Sequence, residues 1–155
     1  MNELRTATIA IFACFAGAAM ASAQETKIRR ADLPAAVEKT VADASKGATI
    51  KGFSKETEHG KTSYEVEMVV NGRSNDVEID ATGAIVEVEE EVALSSLPTN
   101  VAAGLNAKAA GGKIVKVESL TKNGKLVAYE AKVEASGKKH EIQVGPDGKP
   151  LDHEE

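Results

Sequence analysis

Aromatic residues and cysteine are scarce in this sequence of 155 residues. It contains no tryptophan, one cysteine, two tyrosines and three phenylalanines. Proteins that bind single-stranded nucleic acids stack bases on aromatic side chains, and nucleic-acid binders generally carry excess positive charge. The net charge of this chain is −5, which would repel a phosphate backbone. We therefore expect no nucleic-acid partner.

Long apolar segments are also scarce, and the one that stands out lies near the N-terminus. Arg5 precedes an apolar run at residues 7–20, and Ala-Ser-Ala follows at residues 21–23. A positive start, an apolar core and an A-x-A site are the three parts of a secretory signal peptide. The sequence thus predicts a signal peptide at residues 1–23, a periplasmic or secreted protein, and no membrane span after cleavage.

Two alternative interpretations of this segment are an uncleaved membrane anchor and a lipid anchor on Cys14. The run is shorter than the roughly 20 apolar residues of a membrane helix, and Cys14 lies inside it. If cleavage follows Ala23, Cys14 is removed and the mature chain has no cysteine. An exported chain without disulfides must be stable through its core alone.

The charge is unevenly distributed along the chain. Residues 24–92 carry 15 acidic and 9 basic side chains, whereas residues 93–155 carry 8 acidic and 9 basic side chains. A cationic partner would therefore be attracted to the first half of the mature chain.

Internal similarity divides the mature chain into two units. Leu33-Pro34 recurs as Leu97-Pro98, and residues 64–83 match residues 129–148 in their apolar, glycine and aromatic positions. Recurrence of this kind is typical of a duplicated structural unit. We predict one unit at residues 31–92 and a second at residues 93–155.

Each unit is predicted to contain one helix followed by four strands. Asp32 and Ser96 are suitable N-cap residues, and apolar residues at helical spacing follow both. The later segments alternate apolar and polar residues, as half-buried strands do, and glycine-containing turns separate them. The predicted fold class is α+β, with two tandem repeats, each a helix on one face of a four-stranded antiparallel sheet. We expect the two units to pack together, and one longer sheet with both helices on the same side and an elongated two-lobed arrangement are both open.

These residues resemble a known family. The segments at residues 64–67 (Tyr-Glu-Val-Glu) and 77–85 (Val-Glu-Ile-Asp-Ala-Thr-Gly-Ala-Ile) are similar to PepSY domains. Tandem copies behind a signal peptide resemble the PepSY-like group that is also described as β-lactamase-inhibitor-like. The resemblance covers about residues 31–152. It implies an exported binding or inhibitory module that modulates peptidases or other exported enzymes and has no established catalytic residues.

The chain departs from the β-lactamase inhibitor itself in two respects. It lacks disulfides after cleavage, and it has few aromatic residues that could insert into an enzyme cleft. Tight interfaces usually depend on Trp, Tyr and Arg, so we expect weak or transient binding.

Acidic residues on the polar face of the predicted strands form the candidate partner-binding site. Like charges that lie opposite each other on a sheet are destabilising, so a basic partner segment, a hard cation such as calcium or nearby lysines should offset them. Solvation alone is a further alternative. The candidate residues are Glu65, Glu67, Asp76, Glu78, Asp80, Glu87 and Glu89.

No catalytic constellation, metal site or cofactor site is indicated. The histidines, His59, His140 and His153, lack the spacing of zinc motifs. Because the carboxylates alternate with core residues, we expect them to be exposed and to titrate normally, whereas an enzyme would need a concave pocket with perturbed pKa values.

The predicted function is a non-catalytic binding module for another exported protein or peptide. The alternative is a divalent-cation or envelope-stress sensor that uses the acidic face of the first unit.

Overall fold

The computed structural model describes residues 25–58, 60–153 and 155. The predicted signal peptide and His59 lie outside the described residues. Two short 3-10 turns, Arg30–Asp32 and Leu94–Ser96, precede the helices. The helices are α1 (Ala35–Ala44) and α2 (Thr99–Ala109), and the strands are β1 (Thr26–Lys27), β2 (Thr49–Glu58), β3 (Lys61–Val70), β4 (Arg73–Asp80), β5 (Ile85–Glu91), β6 (Lys113–Lys122), β7 (Lys125–Ala135) and β8 (Lys138–Val144).

The strands form one eight-stranded antiparallel sheet in the order β1 to β8. The predicted α+β fold of two tandem repeats, each a helix followed by a four-stranded sheet, is therefore wrong, because one sheet contains all eight strands. The residues of β5 from Glu87 to Glu91 pair with the residues of β6 from Glu118 to Lys122, which joins the two halves.

The second half also has fewer strands than predicted. Only β6, β7 and β8 follow α2 in the described chain. After Val144 the chain enters a turn in which the Gly148 N–H donates to the Gly145 carbonyl over 2.8 Å. Pro150 follows this turn, and proline cannot donate a hydrogen bond to a strand ladder.

Both helices lie on one face of the sheet. Val77 pairs with Val88, and Val88 pairs with Thr121, so these side chains point to the same face. Val77 packs against α1. Val117 lies four residues before Thr121 on β6, and therefore on the same face, and it packs against α2. The opposite face has no helix covering it among the described residues, and we call it the polar face.

Each helix has its own core beneath it. Complete burial of a valine, leucine or isoleucine side chain contributes about 1.5–3 kcal/mol, so these two clusters supply most of the stabilisation. The buried residues under α1 are Val37, Val41, Val66, Met68, Val77 and Ile79; those under α2 are Val101, Leu105, Ala109, Val117, Ala131, Val133, Ile142 and Val144.

Both helices begin two residues later than the sequence predicts. Their N-cap positions are Pro34 and Pro98, not Asp32 and Ser96. A residue before proline is driven to an extended backbone, and Leu33 has a ψ of 139°. The Asp32 carboxylate instead accepts from the Arg29 N–H over 3.1 Å and closes the preceding 3-10 turn.

A contact between two glycines fixes α2 against the turn after β8. A methyl group at Gly104 would overlap the carbonyl oxygen of Gly148, and one at Gly148 would overlap the carbonyl oxygen of Asn100. The first half has a similar but less close contact between α1 and the turn after β4, in which a methyl group at Gly83 would come 2.8 Å from the Ala36 oxygen. The helix and turn therefore approach each other at backbone distance.

Gly104→Ala should lower the free energy of unfolding of the mature chain by about 1–3 kcal/mol, because overpacking costs that much in a tight contact. The measurement is urea unfolding followed by circular dichroism. Helix propensity alone would make the same change stabilising by about 1 kcal/mol. An increase in stability would therefore contradict the close packing of α2 on the turn.

Candidate functional site

The polar face gathers the predicted acidic residues from three adjacent strands. Glu65 of β3 lies across from Glu78 of β4, and Glu78 lies across from Glu87 of β5. One row further along, Glu67, Asp76 and Glu89 lie across from one another in the same way. Six of the seven candidates thus form two rows of like charge, as the register of the hairpins requires.

Asp80 does not take part in these rows. Its Oδ1 accepts from the Thr82 N–H at 2.8 Å, the Thr82 hydroxyl at 2.6 Å and the Ala84 N–H at 3.0 Å. These bonds hold the turn between β4 and β5 and lower the pKa of Asp80, with the Thr82 hydroxyl as the largest cause. The structure therefore gives Asp80 a turn-stabilising role.

A cavity with a volume of about 540 Å³ opens over these rows. Seven carboxylates and one ammonium group line it, and we call it the acidic cavity. Its lining residues are Ser54, Glu56, Ser63, Glu65, Asp76, Glu78, Glu87, Glu89, Lys122 and Glu155.

The expectation that these carboxylates are exposed is wrong, and Glu65, Asp76, Glu87 and Glu89 do not titrate normally. All seven candidates are only partly exposed. Burial raises the pKa of Glu89 to about 8, and the charges of Glu130, Glu118, Glu87 and Asp76 add to the effect. Burial is likewise the largest cause of the raised pKa values of Glu65, Asp76, Glu87 and Glu130. The crowding of the sheet face removes water that an isolated strand would retain.

The second half of the chain adds groups that the sequence analysis did not single out. Glu118 of β6 is 2% exposed and lies on the polar face, across from Glu91 and Glu130. It is paired with Lys116, and it accepts from the Ser74 hydroxyl over 3.1 Å. The alternation along β6 placed Glu118 on a polar face, but only the pairing of β5 with β6 shows that this face is shared.

Lys122 is the basic residue that lines the acidic cavity. It lies directly across from Glu87, and its Nζ is 3.5 Å from a Glu87 carboxylate oxygen. The same Nζ is 3.9 Å from a carboxylate oxygen of Glu155, in the segment after β8. Two carboxylates therefore share one ammonium group.

Three carboxylates approach closely enough to hold a metal ion. One oxygen each of Asp76, Glu89 and Glu118 lies within 4.8 Å of the other two. Calcium and magnesium prefer such oxygen ligands, and calcium takes about six to eight of them. The set could supply part of a divalent-cation shell, with water completing it.

The three aromatic residues of the predicted mature chain lie away from the polar face. Phe53 and Tyr64 pack against the core under α1, and Tyr129 packs against the core under α2. Recognition on the polar face must therefore depend on charge and hydrogen bonds. Its carboxylates can accept hydrogen bonds from ammonium or guanidinium groups, or bind a hard cation.

No protein-family model and no curated protein matches the chain. Several solved structures are similar in fold. A protein from Bacteroides eggerthii that is described as periplasmic is 18% identical, with 77% of this chain and 86% of that chain covered and a TM-score of 0.62. A DUF2874 family protein from Bacteroides ovatus is 18% identical, with 77% and 84% covered and a TM-score of 0.58.

A third similar structure connects the fold to the predicted resemblance. It is a BLIP-like protein from Bacteroides fragilis, 22% identical, with 77% of this chain and 83% of that chain covered and a TM-score of 0.55. The fold of this chain is thus BLIP-like. The narrower likeness to PepSY domains stays a prediction, since the similar structures do not support it.

The predicted periplasmic or secreted location agrees with the description of the Bacteroides eggerthii protein. Among the described residues, no helix combines the length and the apolar character that a membrane crossing needs.

The raised pKa values predict that stability falls as pH rises. Glu89 has a pKa of about 8 in the folded chain, against an ordinary value of 4.5. Its protonated form is therefore favoured by folding, and the stability it contributes is present below pH 4.5 and lost as pH rises toward 8. We expect a loss of about 1–3 kcal/mol over this window, since a pKa unit corresponds to about 1.4 kcal/mol and partial exposure reduces it.

Urea unfolding at pH 5, 6.5 and 8 tests this, with Glu89→Gln and its neighbour Glu90→Gln as a matched pair. Glu90 points to the other face, across from Asn75. Glu89→Gln should flatten the pH dependence and stabilise the chain at pH 8, and Glu90→Gln should leave the profile unchanged. Identical profiles for the two variants would contradict the assignment.

Proposed function

We propose that this protein is an exported, non-catalytic binding module that holds a basic segment of another exported protein against its polar face. The observation that carries the proposal is the lining of the acidic cavity, seven carboxylates against one ammonium group. A partner segment with lysine or arginine side chains would neutralise the two like-charged rows and relieve their repulsion.

The BLIP-like fold supports a role in protein binding. One of the similar structures is described as BLIP-like, and the predicted resemblance to β-lactamase-inhibitor-like proteins implies modulation or inhibition of an exported enzyme or peptidase. The absence of aromatic anchors from the polar face favours a weak complex that forms fast through charge attraction.

The acidic cavity meets one requirement of an enzyme site, because it is concave and several of its carboxylates have shifted pKa values. Catalytic acid–base pairs, however, have environments that push their two pKa values apart. The pKa values of Glu65, Asp76, Glu87 and Glu89 are all raised. Burial is the largest cause of each rise and neighbouring carboxylates add to it, so the pKa values move together and not apart, which favours a binding surface.

Capture of partners from an envelope extract tests the proposal, with the tagged mature chain as bait and mass spectrometry as readout. A variant with Glu65→Gln, Glu67→Gln and Glu78→Gln should lose the captured partner or bind it at least about tenfold more weakly, since several charge contacts are removed together. Capture should also decline as NaCl increases from 50 to 300 mM, because exposed charges are screened.

The matched control is a variant with Asp43→Asn, Glu90→Gln and Asp147→Asn, which removes the same charge away from the polar face. It should retain the partner. Equal capture by the two variants would show that the acidic rows do not form the binding site.

Divalent-cation binding is a second candidate function, favoured by the approach of Asp76, Glu89 and Glu118 within 4.8 Å. A cation that binds only the folded chain would raise its melting temperature in proportion to its concentration. With 5 mM CaCl₂ we expect a rise of several degrees, which Asp76→Asn should abolish. NaCl at equal ionic strength is the control, and an equal rise with NaCl would indicate screening without a cation site.

A further inference from the structure

The segment after β8 passes from the helix face of the sheet to the polar face. Its turn, around Gly148, packs against α2. At Glu155 the chain lies on the other face, where the Glu155 N–H donates to Oε1 of Gln143 over 2.9 Å. Gln143 is itself 6% exposed and donates to the Glu130 carboxylate over 2.9 Å. The segment is thus attached to a buried side chain of the polar face.

The attachment brings an acidic residue into a cavity that is already acidic. Glu155 lines the acidic cavity together with six other carboxylates. Its nearest basic group is Lys122 at 3.9 Å, and Glu87 shares that group at 3.5 Å. The like charges of the cavity oppose this docked position and the Lys122 ion pair favours it, and a cationic group in the cavity would add to the attraction.

We propose that Glu155, which the segment after β8 brings to the acidic cavity, forms a clasp that closes over a basic side chain of the partner held there. The Glu155 carboxylate comes from outside the sheet, and it would face the carboxylates that the strands contribute to the cavity. This inference rests on the proposed function, and it states how the same site is regulated.

The clasp makes segment docking and partner binding favour each other. Coupling between two binding events is reciprocal, so the factor by which the docked segment tightens the partner is the factor by which the partner stabilises docking. A segment that merely competed with the partner would give the opposite sign. Positive coupling therefore indicates a clasp, and negative coupling indicates an autoinhibitory segment.

The first experiment measures the affinity of an octapeptide of alternating lysine and threonine by calorimetry, in EDTA, for the mature chain and three variants. Deletion of residues 152–155 and Glu155→Gln should each weaken binding about fivefold or more, within the range usual for coupled sites. Glu90→Gln, which removes one carboxylate from the opposite face of the sheet, should leave the affinity unchanged. Unchanged or tighter binding after deletion overturns the clasp.

The second experiment needs no partner and follows hydrogen exchange at the Glu155 amide by nuclear magnetic resonance. If cavity repulsion opposes docking, protection should increase about twofold or more when NaCl is raised from 20 to 300 mM, since salt screens the repulsion. If the Lys122 ion pair alone held the segment, protection would decrease, and this result would also overturn the clasp.

The two experiments separate failure of the clasp from failure of the proposed function. Absence of peptide binding to the unmodified mature chain counts against the basic partner, and with it against the clasp. Peptide binding that does not depend on the segment overturns the clasp and leaves the proposed function in place. An unprotected Glu155 amide at every salt concentration, with and without the peptide, likewise overturns the clasp alone.

Discussion

The pairing of β5 with β6 is the interaction on which the rest of the structure depends. It joins the two halves over five residue pairs without a register shift, so the alternation of faces continues from one half to the other. Both helices consequently lie on one face, and the two acidic rows of the first half lie on the other together with Glu118 and Glu130 of the second half. Two separate sheets would have exposed two more strand edges, whose unpaired backbone groups invite aggregation, and each half alone would bury only a marginal core.

The two faces have opposite effects on stability. The helix face buries valine, leucine and isoleucine in two clusters, which stabilises the folded chain through the hydrophobic effect. The polar face places Glu78 between Glu65 and Glu87, and Asp76 between Glu67 and Glu89, which is destabilising. Natural sequences usually satisfy every local rule at once, and departures that the fold must offset elsewhere are typical of functional or strained sites.

Local features of this fold were predictable, and the long-range ones were not. The alternation of Tyr64 to Met68 correctly separates core from polar residues, and the Asn-Gly pairs at Asn71 and Asn123 form tight turns with positive φ at both residues. Nothing in the local sequence shows that β5 pairs with β6, because this pairing joins residues about 30 positions apart.

The partial burial of the carboxylates was not predicted, for the same reason. The alternation of residues shows on which face of the sheet a side chain lies. The neighbours that exclude water from the carboxylates, such as Glu118 and Lys122, come from the other half of the chain.

In the proposed complex, a charged face without aromatic anchors would obtain its selectivity from the spacing of its charges. Neighbouring strands are about 4.8 Å apart, and side chains on one face of a strand repeat every 6.8 Å or so. The carboxylates of β3, β4 and β5 therefore form a grid with these two spacings. An extended partner segment with a basic residue at every second position would match the longer spacing if it ran along the strands. A helical segment places its basic residues about 5–6 Å apart at i and i+4, which suits the shorter spacing across them. In the proposed complex, the geometry of the grid thus restricts partners by backbone conformation as well as by charge, without the shape complementarity that aromatic anchors usually supply.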